Sequence, residues 1–119
     1  MSNVLCIGDS LTAGYCHGDG GGCVYFPYAN TLSELFKGEK FIDYIGYSGY
    51  TTDDVIDNQE RSSCIDCFNV EHQGLLFSIT AKKYDVIVLL LGTNDLGTDV
   101  RLIRIQHNIE EILKSCLEQ

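Results

Sequence analysis

Residues 86–91 are six consecutive apolar residues, and this run constrains the fold more than any other segment. A run that is apolar at every position is typical of a parallel strand buried on both faces. Residues 4–7 form a second such run, which ends at Gly8. Because parallel strands need crossover connections, usually helices, the two runs predict an α/β fold.

The segments between these runs alternate as the α/β class requires. We predict strands over residues 3–7, 41–47 and 86–91, and helices over residues 28–36, 74–81 and 98–117. Pro27 suits the start of the first helix, and Gly38 ends it. The apolar face of this helix is predicted to consist of Tyr28, Leu32, Leu35 and Phe36. Residues 15–24, which are rich in glycine, and residues 62–72 are predicted to be loops. This order of elements implies right-handed βαβ crossovers within one domain over residues 1–119.

Composition and charge limit the possible partners. The chain has 119 residues, of which 45% are apolar and 21% charged, as in a globular domain. Its net charge of −9 argues against nucleic acid and anionic membranes as partners. No apolar run approaches the roughly 20 residues of a membrane span. The first strand begins next to Met1, which leaves no room for a signal peptide. We therefore predict a cytoplasmic protein whose six cysteines are reduced thiols.

Polar residues follow Gly8 at the end of the first predicted strand. Ser10 comes at the carboxyl end of that strand, where open α/β sheets bind their ligands. Backbone N–H groups in the turn that follows would face a negative atom held there. A serine hydroxyl beside such donors is what acyl transfer requires. Asp9 and Ser10 suit a simple helix cap equally well, and this segment alone does not separate the two interpretations.

Two more polar segments follow predicted strands. Gly49 comes after the second strand, where a backbone N–H can serve a ligand and the threonines that follow can cap a helix. Gly92, Asn94 and Asp95 come after the third strand. An asparagine amide in that place can donate to a developing oxyanion. Each segment is also compatible with an ordinary capping turn.

In order and spacing, residues 8–11, 48–51 and 92–95 resemble the first three sequence blocks of the GDSL/SGNH hydrolase family. The resemblance covers nearly the whole chain. It implies a flavodoxin-like three-layer α/β/α sandwich with a parallel sheet, in which the first strand lies between the second and third (order 2-1-3). It also implies a serine esterase or lipase that acts on small-molecule acyl esters and needs no cofactor.

The resemblance also implies roles for single residues. Ser10 would be the nucleophile. The backbone N–H groups of Ser10 and Gly49 and the side chain of Asn94 would form the oxyanion hole. The residues that support these three in their turns would be Gly8, Asp9, Gly92 and Asp95.

One part of the family pattern is missing. The fourth block, Asp-x-x-His, supplies the catalytic base and the carboxylate that orients it. The residue three places before each histidine of this chain is Gly14, Asn69 or Arg104. We therefore expect a truncated domain of about three strands, which carries a nucleophile and an oxyanion hole without a base.

Other titratable residues offer less specific signals. His17, at the rim of the predicted site, is the best candidate for a replacement base, although a solvated loop histidine fits the pattern as well. His107 lies well inside the last predicted helix, and His72 has no clear place. Arg101 and Arg104, near the start of that helix, can face an acidic substrate or can simply be solvated.

Cys64 and Cys67 have C-x-x-C spacing, with His72 nearby. A redox motif of this kind starts a helix, which is not predicted here, and a structural zinc site needs a fourth ligand. We predict no metal and no other cofactor. The role of the two thiols stays open.

Three hypotheses for function remain. The chain is an ester hydrolase of low activity, a catalytically dead module that binds an acyl or carbohydrate ligand or a protein, or a split product completed by another polypeptide. The strand over residues 86–91 is relevant to the hypothesis of a split product, because an apolar strand at a sheet edge can pair with a strand of another chain. We expect a homodimer or a partner chain at that edge.

Overall fold

The computed structural model describes residues 2–17 and 23–119, apart from the side chains of His17 and Cys23. In chain order the elements are β1 (Ser2–Gly8), α1 (Ser10–Ala13), β2 (Tyr15–His17), β3 (Cys23–Tyr25), α2 (Tyr28–Leu35), β4 (Lys40–Gly46), α3 (Thr52–Asp57), β5 (Cys64–Ile65), β6 (Glu71–His72), α4 (Leu75–Ala81), β7 (Val86–Leu90), α5 (Thr93–Gly97) and α6 (Leu102–Leu117).

The chain divides into two compact units. The sheet unit consists of Met1–Ser48 and Tyr84–Leu90, and the helical unit consists of Gly49–Lys83 and Leu91–Gln119. The prediction that residues 1–119 form one domain stays a prediction.

The sheet unit contains a parallel sheet in the order β4-β1-β7. Val4, for example, lies in register with Ile42 on one side and with Val86 on the other. The central strand β1 is buried from Val4 to its end, as expected for a strand with neighbours on both sides. The predicted α/β class and the strand order 2-1-3 are confirmed.

Helix α2 packs on one face of this sheet. Tyr28 and Leu32 lie against a buried core that includes Val4 and Cys6. The predicted helical face extended to Leu35 and Phe36, but these side chains are 71% and 38% exposed. The reason is that α2 ends at Leu35 and the chain then turns through Gly38, which has a φ of +74°.

Strand β7 is less buried than an unbroken apolar run predicts. Val86, Val88 and Leu90 are 50%, 39% and 45% exposed. The β1 residues that pair with these three lie on the sheet face that α2 covers. On that face, α2 packs over β1 and β4 rather than over β7. In the part of the chain that the structure describes, β7 pairs with β1 alone and is an edge strand.

Both segments predicted as loops contain short antiparallel strands, so these two predictions are wrong in the described residues. Strands β2 and β3 pair antiparallel, with Tyr15 opposite Tyr25 and their ring centroids 6.1 Å apart. Strands β5 and β6 pair Cys64 with His72. Strands of two or three residues are too short to carry an alternating pattern, which is why the sequence does not reveal them.

The predicted helix over residues 98–117 begins later than expected, and a separate helix precedes it. The N–H groups of Thr98 and Val100 both donate to the Asp95 carbonyl oxygen, at 3.2 and 3.1 Å. Asp99 between them has a left-handed φ of +60°. This closing turn ends α5, and α6 begins only after Arg101, its N-cap residue.

In the helical unit, α3 and α4 pack against α6. Helix α6 buries Ile105, Asn108, Ile112 and Cys116, which recur every three or four residues along one face. Among the described residues, no helix has both the length and the apolar composition that crossing a membrane requires.

Candidate active site

Ser10 is the first residue of α1, directly after β1. Asp9 is the N-cap residue of this helix, and its Oδ1 accepts a hydrogen bond from the Leu11 N–H at 2.9 Å. Gly14, with a φ of +75°, ends the helix after one turn. Asp9 is therefore a helix cap, while Ser10 is half-buried in the turn that follows the central strand.

Close packing explains why a glycine precedes this turn. A Cβ on Gly8 would collide with Thr12 Oγ1 and would lie 2.7 Å from the carbonyl oxygen of Leu90. Asp9 is only 1% exposed, and its Oδ2 meets no hydrogen-bond donor among the described residues. The turn at Ser10 is thus tightly packed, and its side-chain cap is local.

Gly49 opens the helical unit in a left-handed conformation, with a φ of +78°. A Cβ there would lie 2.7 Å from the sulfur of Cys67, so the position has no room for a side chain. Two residues later, Thr51 caps α3 in a reciprocal capping box with Asp54. The predicted capping turn is present, and Gly49 is exposed just before it.

Asn94 lies in the first turn of α5, after Gly92 at the N-cap position. Its Nδ2 donates to the carbonyl oxygen of Tyr50 at 2.9 Å, across 44 residues of sequence. One hydrogen of the amide is thereby used to orient the group, and an amide nitrogen carries a second one. The structure thus brings Asn94 next to the segment that begins with Gly49.

Asp95, which is buried, also connects the segment of Asn94 to the segment that begins with Gly49. Its two carboxylate oxygens accept from Thr52, one from the backbone N–H at 2.9 Å and one from the hydroxyl at 2.6 Å. Asn108 Nδ2 donates to the Thr52 hydroxyl oxygen at 3.0 Å. All three side chains are at most 5% exposed. Buried polar groups with satisfied hydrogen bonds of this kind hold elements in one arrangement.

Sequence reasoning identified Asp95 as a supporting residue but missed Thr52 and Asn108 in this network. A signal for Asn108 was present. It stands between Ile105 and Ile112 on the apolar face of the last helix, where a polar residue needs a buried partner. That partner is on a distant segment, so the sequence could indicate its existence but not its identity.

Arg104 forms an ion pair, which the sequence did not predict. Its guanidinium binds the Asp53 carboxylate, with Nη2 2.8 Å from Oδ1. Asn108 Nδ2 also donates to that oxygen at 3.0 Å. The hydrogen bond from Arg104 is the main reason why the pKa of Asp53 is lowered. Arg101 is exposed at the N-cap position of α6.

The three histidines differ in their surroundings and in how far the structure describes them. The backbone of His17 belongs to β2, but its side chain lies outside the described part, so its role as a base stays a prediction. His107 is exposed on α6. His72 lies in β6 with its Nε2 2.7 Å from Oδ2 of Asp66, a pair that the sequence did not reveal.

Cys64 and Cys67 lie in the same hairpin as this pair. Cys64 is buried, Cys67 is exposed, and neither forms a disulfide. Within residues 2–17 and 23–119, no group of three or more histidine, cysteine, aspartate or glutamate side chains is arranged to hold a metal ion.

The structure therefore brings together two of the three predicted site segments. The Gly49 segment and Asn94 are joined within the helical unit, whereas Ser10 belongs to the sheet unit. The convergence of all three residues stays a prediction.

Comparison with known proteins gives the same type of fold. The sequence model of the GDSL-like Lipase/Acylhydrolase family matches residues 6–119. Among curated proteins, no sequence matches this chain significantly.

Three solved structures are similar. Est24, a carbohydrate acetylesterase from Sinorhizobium meliloti, is 22% identical with a TM-score of 0.69, over 98% of this chain and 56% of that one. A protein described as a lipolytic protein of the G-D-S-L family from Desulfitobacterium hafniense is 18% identical with a TM-score of 0.65, over 99% and 54%. A protein described as an arylesterase from Agrobacterium tumefaciens is 21% identical with a TM-score of 0.64, over 96% and 54%.

These likenesses confirm the predicted fold class. They also show that the chain spans about half the length of the solved structures it matches.

Proposed function

Because the chain belongs to the GDSL-like lipase/acylhydrolase family, we propose that it hydrolyses small-molecule acyl esters with Ser10 as the nucleophile. The observation that carries this proposal is the family match over residues 6–119, together with the position of Ser10 in the turn after the central parallel strand. The carboxyl ends of such strands are where α/β sheets bind ligands. Ser10 is half-buried at that position.

We further propose that the oxyanion is bound by the backbone N–H groups of Ser10 and Gly49 and by the amide of Asn94. Support comes from the helical unit, where Gly49 is exposed and Asn94 is fixed by its bond to Tyr50. A donor that is oriented before the substrate arrives stabilises a developing negative charge without further reorganisation.

The absence of an Asp-x-x-His block from the 119-residue sequence determines the level of activity that we propose. A serine hydroxyl is a weak nucleophile until a neighbouring base accepts its proton. An oxyanion hole and substrate binding alone retain about 10³–10⁴-fold catalysis over water. We therefore propose slow turnover, best seen with esters of good leaving groups.

The test is hydrolysis of nitrophenyl acetate by the 119-residue chain. Ser10→Ala is expected to abolish the reaction, and Asn94→Ala to slow it by up to about 10²–10³-fold. Ser33→Ala and Asn30→Ala, on helix α2, are the matched controls and should leave the rate unchanged. A rate that Ser10→Ala does not change would refute the proposed nucleophile. Fast turnover by the wild-type chain that is lost in His17→Ala would refute the proposal of slow catalysis. It would show instead that the enzyme is complete and that His17 is its base.

We also propose that the outer edge of β7 binds a polypeptide strand from the part of the family domain that this chain does not span. The solved relatives are nearly twice as long as this chain, and β7 presents Val86, Val88 and Leu90 as an exposed apolar row. An edge strand of this kind pairs readily with another strand.

When the 119-residue chain is alone, this edge should cause self-association at high concentration, measured by light scattering. Val88→Lys is expected to suppress the association. Phe41→Lys, at an exposed position of the opposite edge strand β4, is the control and should not. A wild-type chain that stays monomeric at high concentration would refute the proposal.

A further inference from the structure

The β5–β6 hairpin, residues 64–72, is fixed from within by Asp66. One oxygen of this carboxylate accepts from the backbone N–H groups of Phe68 and Val70, at 2.8 and 3.1 Å. The other lies 2.7 Å from His72 Nε2. The Asp66 side chain is only 1% exposed. A buried carboxylate with three such contacts restricts the hairpin to one conformation, so the surface that it presents is formed in advance.

The same hairpin is attached to the segment that carries Gly49. The Tyr50 hydroxyl donates to the carbonyl oxygen of Ile65 at 3.0 Å. Cys67 lies directly against Gly49, since a Cβ on that glycine would be within 2.8 Å of both the sulfur and the Cβ of Cys67. The side chain of Cys67 thus borders the exposed N–H-bearing residue that we assign to the oxyanion hole.

The same hairpin carries three exposed apolar side chains. Ile65, Phe68 and Val70 are 56%, 39% and 38% exposed, although all three are apolar. Partial desolvation of the Cys67 side chain, and next the charge of Asp66, raises the pKa of its thiol. The thiol is therefore neutral at neutral pH and acts as a small apolar group rather than as a nucleophile. Exposed apolar residues grouped on a rigid element are typical of a ligand-binding surface.

We propose that the β5–β6 hairpin is the acyl-binding wall beside Gly49, and that Cys67 and Phe68 select acyl chains longer than acetyl. The inference rests on the proposed function, because it takes Gly49 as an oxyanion donor. The occupant is an apolar acyl chain, since Cys67 lies against Gly49 and the hairpin that carries it exposes the apolar side chains of Phe68 and Val70.

The first test compares nitrophenyl hexanoate with nitrophenyl acetate. The wild-type chain should have the higher kcat/KM for hexanoate. Phe68→Ser is expected to lower that value about tenfold and to change the value for acetate far less, because most of the lost contact is made by the longer chain. Phe36→Ser is the matched control, since Phe36 is 38% exposed on the sheet unit. A wild-type preference for acetate, or an equal loss for both esters in Phe68→Ser, would overturn the proposal.

A second test does not depend on catalysis. The chain contains no tryptophan, so Phe68→Trp and Phe36→Trp each introduce a single fluorophore. Hexanamide, which has the acyl chain but is not an ester, should change the fluorescence of Phe68→Trp with saturation, and acetamide should not. Phe36→Trp should not respond to either amide. Absence of a saturable change in Phe68→Trp would overturn the acyl-binding wall.

The two tests separate this inference from the proposed function. Hydrolysis that depends on Ser10 but shows no effect of Phe68→Ser leaves the esterase in place and refutes the wall. Saturable hexanamide binding without any hydrolysis supports the wall and refutes the catalytic proposal.

Discussion

Asp9 in the sheet unit and Asp95 in the helical unit occupy equivalent places but are held in opposite ways. Each is adjacent to a residue that we assign to the site, and they are 1% and 0% exposed. Asp9 accepts from Leu11, only two residues further along the chain. Asp95 accepts twice from Thr52, which lies 43 residues earlier.

The difference separates two ways of positioning a functional residue. The side-chain cap of the turn that carries Ser10 is local, because Asp9 accepts from Leu11. The backbone of the turn packs within the sheet unit, where the Tyr47 N–H donates to the Gly8 carbonyl oxygen at 2.8 Å. The position of Asn94 depends on helices α3 and α6 being packed, because Thr52 and Asn108 complete the network around Asp95. Loss of the network should therefore disturb the Gly49 segment and spare the turn at Ser10.

The strongest test of this comparison is Asp95→Ala. The change removes two charge-assisted hydrogen bonds and leaves the buried N–H of Thr52 without its acceptor. We expect a loss of about 3 kcal/mol in the free energy of unfolding, measured by urea denaturation. Equal losses for Asp95→Ala and Asp9→Ala would contradict the distinction between long-range and local positioning.

A smaller loss is expected for Asn108→Ala. Asn108 is 5% exposed and donates to both Thr52 and Asp53. Its removal should lower the free energy of unfolding by about 2 kcal/mol, measured in the same way. Gln106→Ala, on the exposed side of the same helix, is the control and should cost far less. Similar losses for both variants would show that the network does not hold α6.

Asp9→Ala should cost less again. Only one local hydrogen bond to a helix N-terminus is lost, and such caps contribute about 1 kcal/mol. Urea denaturation measures the change in the free energy of unfolding. A loss as large as that of Asp95→Ala would mean that Asp9 has a structural role beyond the cap.

The smallest effect concerns the Arg104–Asp53 pair at the edge of the network. The pKa of Asp53 is lowered in the folded chain, so the folded state binds the proton less readily than the unfolded state. The pair therefore stabilises the fold above the unfolded pKa of an aspartate, about 3.9, and this contribution is lost as the pH falls below it.

Arg104→Gln should consequently reduce Tm at neutral pH slightly and make the acid-induced decrease in Tm shallower. The effect is small because the Arg104 side chain is 63% exposed and salt screens such pairs. Arg101→Gln, also exposed on α6, is the control. An unchanged acid slope in Arg104→Gln would show that the pair does not contribute to stability.

Much of the sheet unit was predictable because its signals are local. An unbroken apolar run predicted β1, and a glycine followed by Asp9 and Ser10 predicted both the end of that strand and the cap of α1. Thr51 was one of the two predicted caps of α3 for the same reason. The hairpins and the break at Asp99 were not predictable, since strands of two or three residues and a single left-handed turn leave no periodic pattern.

By itself, the sequence determined the α/β class and the three polar segments that follow the strands, because apolar periodicity and turn residues act over a few neighbouring positions. The order of the parallel strands was implied by the resemblance of those segments to the GDSL/SGNH family. Only the tertiary structure decided which side chain bonds which. The contacts of Asn94 with Tyr50, of Asp95 with Thr52 and of Cys67 with Gly49 join segments far apart in the chain. Such pairings depend on how whole elements pack, and no local pattern of residue types records them.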